Sequence, residues 1–372
     1  MSTTGRNDGS PPPVSDVAGQ LRDAAFVRLA AAPDGDAVAA TGILARALDG
    51  PFQANVASPG EDRATDADLT VAVGHDDATA DLAISGHTSP ASATAFEVAR
   101  ELDADPDVAL ALAGVTAAGA AGGPVTEAAE ATGIERHPGV AVPTDDLADG
   151  LAHTTLVHAP FSGDVEAVER TLTNLDLPAD RDEDANRRLA SLVAIETVGP
   201  ETATARASDA VQRALRPYRG GPFETIGGYA DVLTCVARES PGAAIALALG
   251  HDGVREAALD AWRTHARRAH RGLRDATTGR YDGLFVVRGD SADLPVVTVA
   301  ELALAFRSPE PVVLALAEGD AAATVADDRS LDAAMSETAS ELDGTATVSR
   351  RYARATFDGD VAATITTFRE AL

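Results

Sequence analysis

The sequence has few or none of several residue types that are common in other proteins. Among its 372 residues there is one cysteine, Cys235, which excludes an intramolecular disulfide and any Cys-x-x-Cys metal knuckle. There is no lysine, so all 30 basic residues are arginine, against 58 acidic residues. A chain without disulfides is typical of a reducing compartment, and we expect a cytoplasmic protein.

Long apolar segments are also missing. The N-terminal residues carry no apolar core of the kind found in signal peptides, and we expect residues 1–20 to form a disordered arm. The longest uncharged stretch covers residues 108–125, but its alanines and glycines are too weakly apolar for a membrane span. It predicts instead a buried helix followed by a loop, and no contact with a membrane is expected.

The formal net charge is −28, which at ordinary salt would repel nucleic acid. The acidic residues are scattered along the chain, and with the absence of lysine this composition is typical of halophilic proteins from salt-rich cytoplasm. At molar salt the Debye length falls to about 3 Å, so dispersed carboxylates exert little long-range field. Net charge therefore does not identify the ligand.

Length and patterning predict an α/β protein of two domains. From residue 26 onward, short apolar strands alternate with amphipathic helices, which favours a mostly parallel sheet covered by helices. We place the first domain over residues 21–180, a charged helical connection over 181–216 and a smaller mixed α/β domain over 217–372. In such sheets ligands bind at the carboxyl ends of the strands. Those ends are residues 32–36, 73–77 and 85–90, and we expect them to lie close together.

One such strand end carries two carboxylates, Asp34 and Asp36, in the sequence LAAAPDGDAVAATG. This resembles the first metal-binding motif of the DHH phosphoesterases, which include the RecJ single-strand exonucleases. In that family the motif reads His-x-Asp-x-Asp-Gly and binds Mn²⁺ or Mg²⁺ beside a phosphodiester. Here Ala32 replaces the histidine and Ala37 the glycine. The resemblance implies a DHH-type first domain and a DHH-associated C-terminal domain.

The later motifs of the family are eroded further. Of the Asp-His-His motif only His87 survives. The other family metal-ligand positions hold neutral residues: Gly74, Ser85, Gly86, and Ala118 or Gly119. A two-metal centre needs several oxygen or imidazole ligands for each cation. The remaining metal ligands would be Asp34, Asp36 and His87, which could hold at most one loosely bound ion.

These residues also have simpler interpretations. Asp34 and Asp36 fit a turn and a helix N-cap, because aspartate accepts backbone N–H bonds at the positive end of a helix. His87 fits an ordinary loop histidine. Alternatively, the neighbouring His75, Asp76 and Asp77 could rebuild a metal site together with the residual ligands.

Arginine is densest between residues 262 and 280. Four arginines recur at spacings of four, four and three, which places them on one helical stripe: Arg263, Arg267, Arg271 and Arg274. Such a stripe could follow a single-stranded backbone, with Trp262 stacking on a base. The alternative is a solvated face that neutralises nearby acids, with Trp262 in the core.

Residues 218–372 resemble the substrate-binding domain of archaeal RecJ-like proteins, with Leu233, Cys235 and Arg238 in a comparable frame. The glycine-rich loop of that domain is absent near residues 346–349. Without those glycines the backbone cannot approach a nucleotide closely. Close to the lost loop, Arg350, Arg351 and Arg354 are candidate phosphate contacts: Arg350 and Arg351 are the nearest to it.

The resemblance implies two competing functions. A RecJ-like protein without its metal ligands would be a pseudoenzyme and a nucleic-acid-associated scaffold in DNA replication or repair. Its implied partners are GINS, the MCM helicase and single-stranded nucleic acid, and it would need no cofactor. The alternative is an active single-strand-specific exonuclease or oligonucleotide phosphodiesterase that uses Mn²⁺ or Mg²⁺. A third possibility is a fold retained for an unrelated partner, such as the translation machinery.

Overall fold

The computed structural model describes residues 12–57, 65–86, 88–120, 122–175, 177–178, 182–327, 329–349, 351–357 and 361–372. The first half contains α1 (Val14–Asp23), β1 (Val27–Ala31), α2 (Gly35–Ala47), β2 (Phe52–Val56), β3 (Leu69–Val73), β4 (Leu82–Ile84), α3 (Ala91–Glu101), α4 (Val108–Ala117), α5 (Pro124–Ala131), β5 (Glu135–Arg136), α6 (Leu147–His153) and α7 (Val165–Thr173).

The second half contains α8 (Glu183–Val198), α9 (Ala205–Ala214), β6 (Tyr218–Arg219), α10 (Ile226–Glu239), α11 (Pro241–Ala248), a 3₁₀ turn (Asp252–Val254), α12 (Arg255–Asp275), β7 (Thr277–Tyr281), β8 (Leu284–Arg288), α13 (Val296–Phe306), β9 (Val312–Ala317), β10 (Asp320–Val325), α14 (Asp332–Glu341), β11 (Thr345–Val348), β12 (Tyr352–Thr356) and α15 (Val361–Ala371).

The first sheet is parallel, with the strand order β2-β1-β3-β4. Its central strand β1 is buried along its whole length, as an apolar strand covered on both faces should be. Ala31, at its end, lies opposite Val56 of β2 and Val73 of β3. The chain therefore leaves the sheet at the same edge after β1 and β3.

The second sheet has the order β11-β12-β10-β9-β8-β7. All its pairs are antiparallel except β8 with β9. Helix α13 packs on one face, while α14 and α15 cover the other with Met335 and Phe368. The predicted α/β class, with a parallel first sheet and a separate mixed second sheet, is confirmed.

The core of the first sheet extends further along the chain than the sequence predicts. Helix α10 packs against α2 and α4, and Leu233 and Trp262 belong to the same buried cluster as Leu29. The boundary predicted at residue 217 thus falls inside a shared core, because the apolar faces of α10 to α12 are buried against the first sheet. Trp262 is a core residue, as the alternative interpretation predicts.

A segment between these two parts of the core has its own cluster. Residues 140–215 bury Leu151, Phe161, Leu189 and Val211 together. The segment leaves and re-enters through the two-stranded ribbon of β5 and β6, in which Arg136 lies opposite Tyr218. Helices α8 and α9 lie in the stretch predicted as a helical connection.

Helix α1 corrects the disordered arm predicted for residues 1–20. Residues 1–11 lie outside the described part of the chain, but the helix begins at Val14 and buries Val17, Ala18 and Leu21. These side chains share one helical face and pack in the first core. Apolar burial therefore orders the chain from Val14 onward.

The uncharged stretch of residues 108–125 forms the buried helix α4 and a loop, as predicted. Across the described residues, no helix combines the length and apolar character that a membrane crossing requires.

Candidate functional site

The carboxyl ends of β1, β3 and β4 open into a cavity of about 190 Å³. Helices α10 and α13 and the turn before β12 close its other sides. The cavity is lined by the residues at the positions that the DHH resemblance assigns to metal ligands: Asp34, Asp36, Gly74, Ser85, Gly86, Ala118 and Gly119. The predicted convergence of the strand ends is confirmed, and the end of α4 joins them in the same lining.

Asp34 caps helix α2. Its Oδ1 accepts a hydrogen bond of 2.9 Å from the backbone N–H of Ala37, which satisfies one of the unpaired donors at the helix start. Burial raises the pKa of this carboxyl, while the positive charges of Arg238 and Arg351 act to lower it. The capping interpretation of Asp34 is therefore confirmed.

Asp36 caps a different helix from the one that contains it. Its Oδ2 accepts from the N–H of Ala91 at 2.7 Å, and its Oδ1 from the N–H of Ser92 at 2.9 Å and from Ser92 Oγ at 2.5 Å. Helix α3 begins after Pro90, which provides no side-chain cap. Burial and the charge of Asp34 raise the pKa of Asp36 to about 6. Sequence reasoning placed this cap on α2, because nothing local links Asp36 to residues at the start of α3.

Position 74 has no room for a carboxylate. The residue there has a left-handed backbone, with φ +82°, and a Cβ on it would lie 2.5 Å from the Cβ of Ala37 and 3.2 Å from that of Ala32. Glycine avoids both the backbone strain and the contact. The alanine in the first motif and the glycine in the second are therefore sterically matched.

The side chains present do not fit a two-metal centre. In the described ranges, no three or more His, Cys, Asp or Glu side chains are grouped to hold a metal ion. His87, the third predicted ligand, lies outside those ranges. His75 is buried and its Nδ1 lies 3.3 Å from the carbonyl of Val73, but it is not part of the cavity lining. Burial lowers the pKa of His75, which favours the neutral imidazole.

Arg238 of α10 connects the two domains at the cavity wall. Its guanidinium binds both carboxylate oxygens of Glu301, at 2.7 and 3.1 Å, and donates to Thr298 Oγ1 at 2.8 Å. Its Nε lies 3.4 Å from the carbonyl of Pro33, just before Asp34. Burial disfavours the charge of Glu301, but the charge and hydrogen bonds of Arg238, together with the charges of Arg351 and His265, lower the pKa of Glu301. The resemblance included Arg238, but no sequence signal identified its partner.

Asp231, a further buried acid of the cavity lining, lies on the same helix as Arg238. Asp231 of α10 accepts hydrogen bonds from Trp262 Nε1 at 2.9 Å, from the N–H of Thr155 at 3.0 Å and from Thr155 Oγ1. Burial raises the pKa of Asp231. This carboxyl therefore holds α10, α12 and the chain after α6 together, a role that no sequence pattern indicated.

The arginine stripe on α12 lies outside the cavity lining. Several of its guanidinium groups already bind acceptors of the same chain. Arg263 binds Asp149 through two hydrogen bonds of 2.9 and 3.0 Å, and Arg274 donates to the carbonyl of Ser162. Arg271 lies 3.4 Å from Asp275, and Arg267 is exposed. Arg263 thus neutralises a nearby acid, as the alternative predicts; nucleic-acid binding by the exposed members stays a prediction.

The candidate phosphate contacts near the C-terminus have different surroundings. Arg350 lies outside the described residues. Arg351 lines the cavity and donates from Nη1 to the carbonyl of Ala117. Arg354 forms a bidentate pair with Asp320, with bonds of 2.9 and 2.8 Å. Arg351 is therefore the member of this group that faces the cavity.

Comparison with known proteins identified one full-length relative and several structural neighbours. Uncharacterized protein rrnAC1427 of Haloarcula marismortui is 55% identical over 376 residues and covers 100% of both chains. A family model described as the C-terminal domain of that protein matches residues 276–370, the part of the chain that follows α12.

Two RecJ structures align with most of the chain at low identity. RecJ of Thermus thermophilus in complex with Mg²⁺ is 15% identical, and the match covers 98% of this chain and 54% of that chain with a TM-score of 0.45. Exonuclease RecJ bound to manganese is 16% identical, and the match covers 97% and 94% with a TM-score of 0.48.

Proposed function

The chain belongs to the family of Haloarcula marismortui protein rrnAC1427, and we propose that it is a RecJ-like DHH protein that no longer hydrolyses nucleic acid. In this proposal the scaffold persists after its two-metal centre has been lost. The proposed function of the protein is then to bind nucleic acid or replication proteins.

The observation that carries the proposal is that both motif aspartates accept hydrogen bonds at helix N-termini. Both oxygens of Asp36 accept hydrogen bonds from α3, and Asp34 caps α2. Gly74 stands where the family has its second aspartate, and Ala37 leaves no space for one. Two-metal hydrolysis needs carboxylates free to bind and bridge the cations, and these positions do not supply them.

Nuclease activity is the direct test. We would incubate 5′-labelled and 3′-labelled single strands with the protein and Mn²⁺ or Mg²⁺ in molar KCl, beside an Asp34→Asn variant. Asparagine caps a helix about as well as aspartate, so this variant removes the charge and keeps the cap. Asp182→Asn is the matched control, because Asp182 caps α8 through Ala185 N–H at 2.8 Å and lies outside the cavity lining.

We expect no cleavage by any of the three proteins. Cleavage that disappears in Asp34→Asn and persists in Asp182→Asn would contradict the proposal. It would favour the alternative, an active metal-dependent single-strand exonuclease with a rebuilt site. The observation in favour of that alternative is His75, whose Nε2 is buried and has no hydrogen-bond partner among the described residues.

The proposed partners come from the resemblance. Inactive RecJ-like proteins accompany GINS and the MCM helicase, and we propose the same partners here, with single-stranded nucleic acid as a further ligand. Affinity capture from a salt-rich lysate should recover GINS or MCM. Capture of ribosomal or RNA-processing factors without either would instead support a fold retained for another pathway.

A further inference from the structure

Arg351 carries a positive charge to a position where the family has a metal ligand. Its Nη1 donates to the carbonyl of Ala117, the residue before Ala118 and Gly119, one of which stands for the family's fourth aspartate. Arg351 lies in the turn between β11 and β12, whereas Ala117 ends α4 in the first core. A guanidinium from the second domain thus reaches the lost metal site.

Arg213 of α9 lines the same cavity. It is exposed and makes no hydrogen bond or ion pair with the described residues. Asp209, one turn earlier on α9, attracts it, while Arg351 repels it. Arg351 is also exposed, and no carboxylate of the described chain forms an ion pair with it. Neither guanidinium thus forms an ion pair in the described chain, although Asp209 attracts Arg213, and Asp34 and Glu301 attract Arg351. An anion between the two arginines would relieve their repulsion.

Four carboxylates line the cavity, and each has partners in the chain. Asp34 caps α2 and is attracted by Arg238 and Arg351. Asp36 accepts three hydrogen bonds at the N-terminus of α3, where the helix dipole also favours a negative charge. Asp231 is held by Thr155 and Trp262, and Glu301 is paired with Arg238. Among the charged residues of the lining, Arg351 and Arg213 are the exposed ones, and neither forms an ion pair with the described residues.

We propose that this cavity binds a phosphoryl group without a metal ion, with Arg351 and Arg213 supplying the charge that divalent cations supply in metal-dependent phosphoesterases. The guanidinium fork matches phosphate oxygens in pairs. At about 190 Å³ the cavity is smaller than the roughly 300–1,000 Å³ of typical small-molecule sites. It would enclose the phosphate and leave the base outside. The inference rests on the proposed loss of the metal centre.

Calorimetry in molar KCl with EDTA tests the proposal. The probes are a nucleoside 5′-monophosphate, the nucleoside alone, and an oligonucleotide with and without a 5′-phosphate. We expect the phosphorylated probes to bind and the others to bind at least about tenfold more weakly, since they lack the charged group that the guanidinium hydrogen bonds require. Binding of the mononucleotide alone identifies a free nucleotide as the ligand; binding of the oligonucleotide identifies a strand end.

The variants assign the binding to these arginines. Arg351→Gln and Arg213→Gln should each lose about tenfold or more in affinity, and Arg351→Lys should recover part of it. The matched control is Arg329→Gln, which removes an exposed arginine paired with Asp327 outside the cavity lining. Circular dichroism verifies that each variant is folded.

Equal affinity for phosphorylated and unphosphorylated probes, or full affinity in both glutamine variants, would overturn the inference while leaving the proposed function standing. Binding that disappears in EDTA and returns with Mn²⁺ would also overturn it. Only cleavage of the labelled strands contradicts the proposed loss of hydrolysis, so the two failures are distinguishable.

Discussion

Ala37 and Gly74 exclude each other's side chains: a Cβ built on Gly74 would lie 2.5 Å from the Cβ of Ala37. In the DHH motifs the first of these positions is glycine and the second is aspartate. Here position 37 is alanine, which adds a methyl group, and position 74 is glycine, which has no side chain. Restoring the aspartate at position 74 alone therefore creates a steric conflict, whereas restoring the glycine at position 37 does not.

Gly74→Asp should lower the free energy of unfolding by about 2–4 kcal/mol, from backbone strain and overpacking together. Gly119→Asp is the matched control, because Gly119 has a similar φ of +70° and open space around its Cβ position. Denaturant unfolding in molar KCl measures both. The steric account is wrong if the two substitutions cost the same, or if Ala37→Gly gives no relief to Gly74→Asp.

Asp36→Asn should be more destabilising than Asp34→Asn. An amide at Asp36 presents N–H groups toward the donors of α3 and leaves one of them unpaired, at about 1–3 kcal/mol. At Asp34, asparagine still caps α2. Thermal unfolding of the two variants gives the comparison. Equal melting temperatures would show that the cap supplied to α3 does not stabilise the fold.

The buried pair His158 and His270 should make stability depend on pH. Their Nδ1 atoms lie 3.0 Å apart, and His270 Nε2 lies 3.0 Å from the carbonyl of Thr154. Because a carbonyl only accepts, the neutral His270 is protonated at Nε2 and accepts a hydrogen bond from His158 Nδ1. Burial, the charge of His270 and two nearby arginines lower the pKa of His158; burial lowers that of His270 to about 4.

As the pH falls, the two histidines become protonated in the unfolded chain at a higher pH than in the folded chain. Their contribution to the free energy of unfolding is therefore complete above about pH 6.5 and is lost as the pH falls toward 4. For His270 the loss is about 3 kcal/mol. His270→Gln keeps a donor for Thr154 and cannot titrate. The difference in unfolding free energy between native and variant chains, measured from pH 7 to 4, isolates this effect from other acids. A difference that does not change with pH would contradict it.

Arg238→Gln should cost about 3–5 kcal/mol, because it leaves the Glu301 carboxylate buried without its partner. The double variant Arg238→Gln with Glu301→Gln should recover part of this loss. Arg354→Gln breaks an exposed pair with Asp320 and should cost no more than about 1 kcal/mol. Chemical unfolding of the three variants tests the ranking. If Arg238→Gln and Arg354→Gln lower the free energy of unfolding equally, the contact between the domains stabilises the protein no more than an exposed ion pair does.

Local patterns in the sequence predicted the strands, the parallel first sheet and the meeting of Asp34, Gly74 and Gly86 at one edge. These follow from apolar periodicity and from sheet geometry. The partners of Asp36, Arg238 and Asp231 could not be predicted in the same way. Each is fixed by tertiary packing between residues that are distant in sequence: Ser92 lies 56 positions from Asp36, and Glu301 lies 63 from Arg238.

The boundary at residue 217 shows a related limit. The glycines and prolines near it do mark a break in the chain, and the ribbon of β5 and β6 lies there. Glycines and prolines of this kind indicate where a helix or strand ends, but they do not indicate in which core the next element packs. Helix α10 is apolar enough to pack in either domain, and only the structure assigns it to the first.

Because α10 to α12 complete the first core, the chain must return to it after residues 140–215 have been made. On the ribosome, β1 to β4 and α2 to α4 would emerge well before the helices that cover them. A polypeptide cut at residue 217 would expose the apolar surface that receives Leu233 and Trp262. The smallest autonomous unit should therefore extend to about residue 275, and synthesis should pass through an incompletely covered intermediate until α12 has left the exit tunnel.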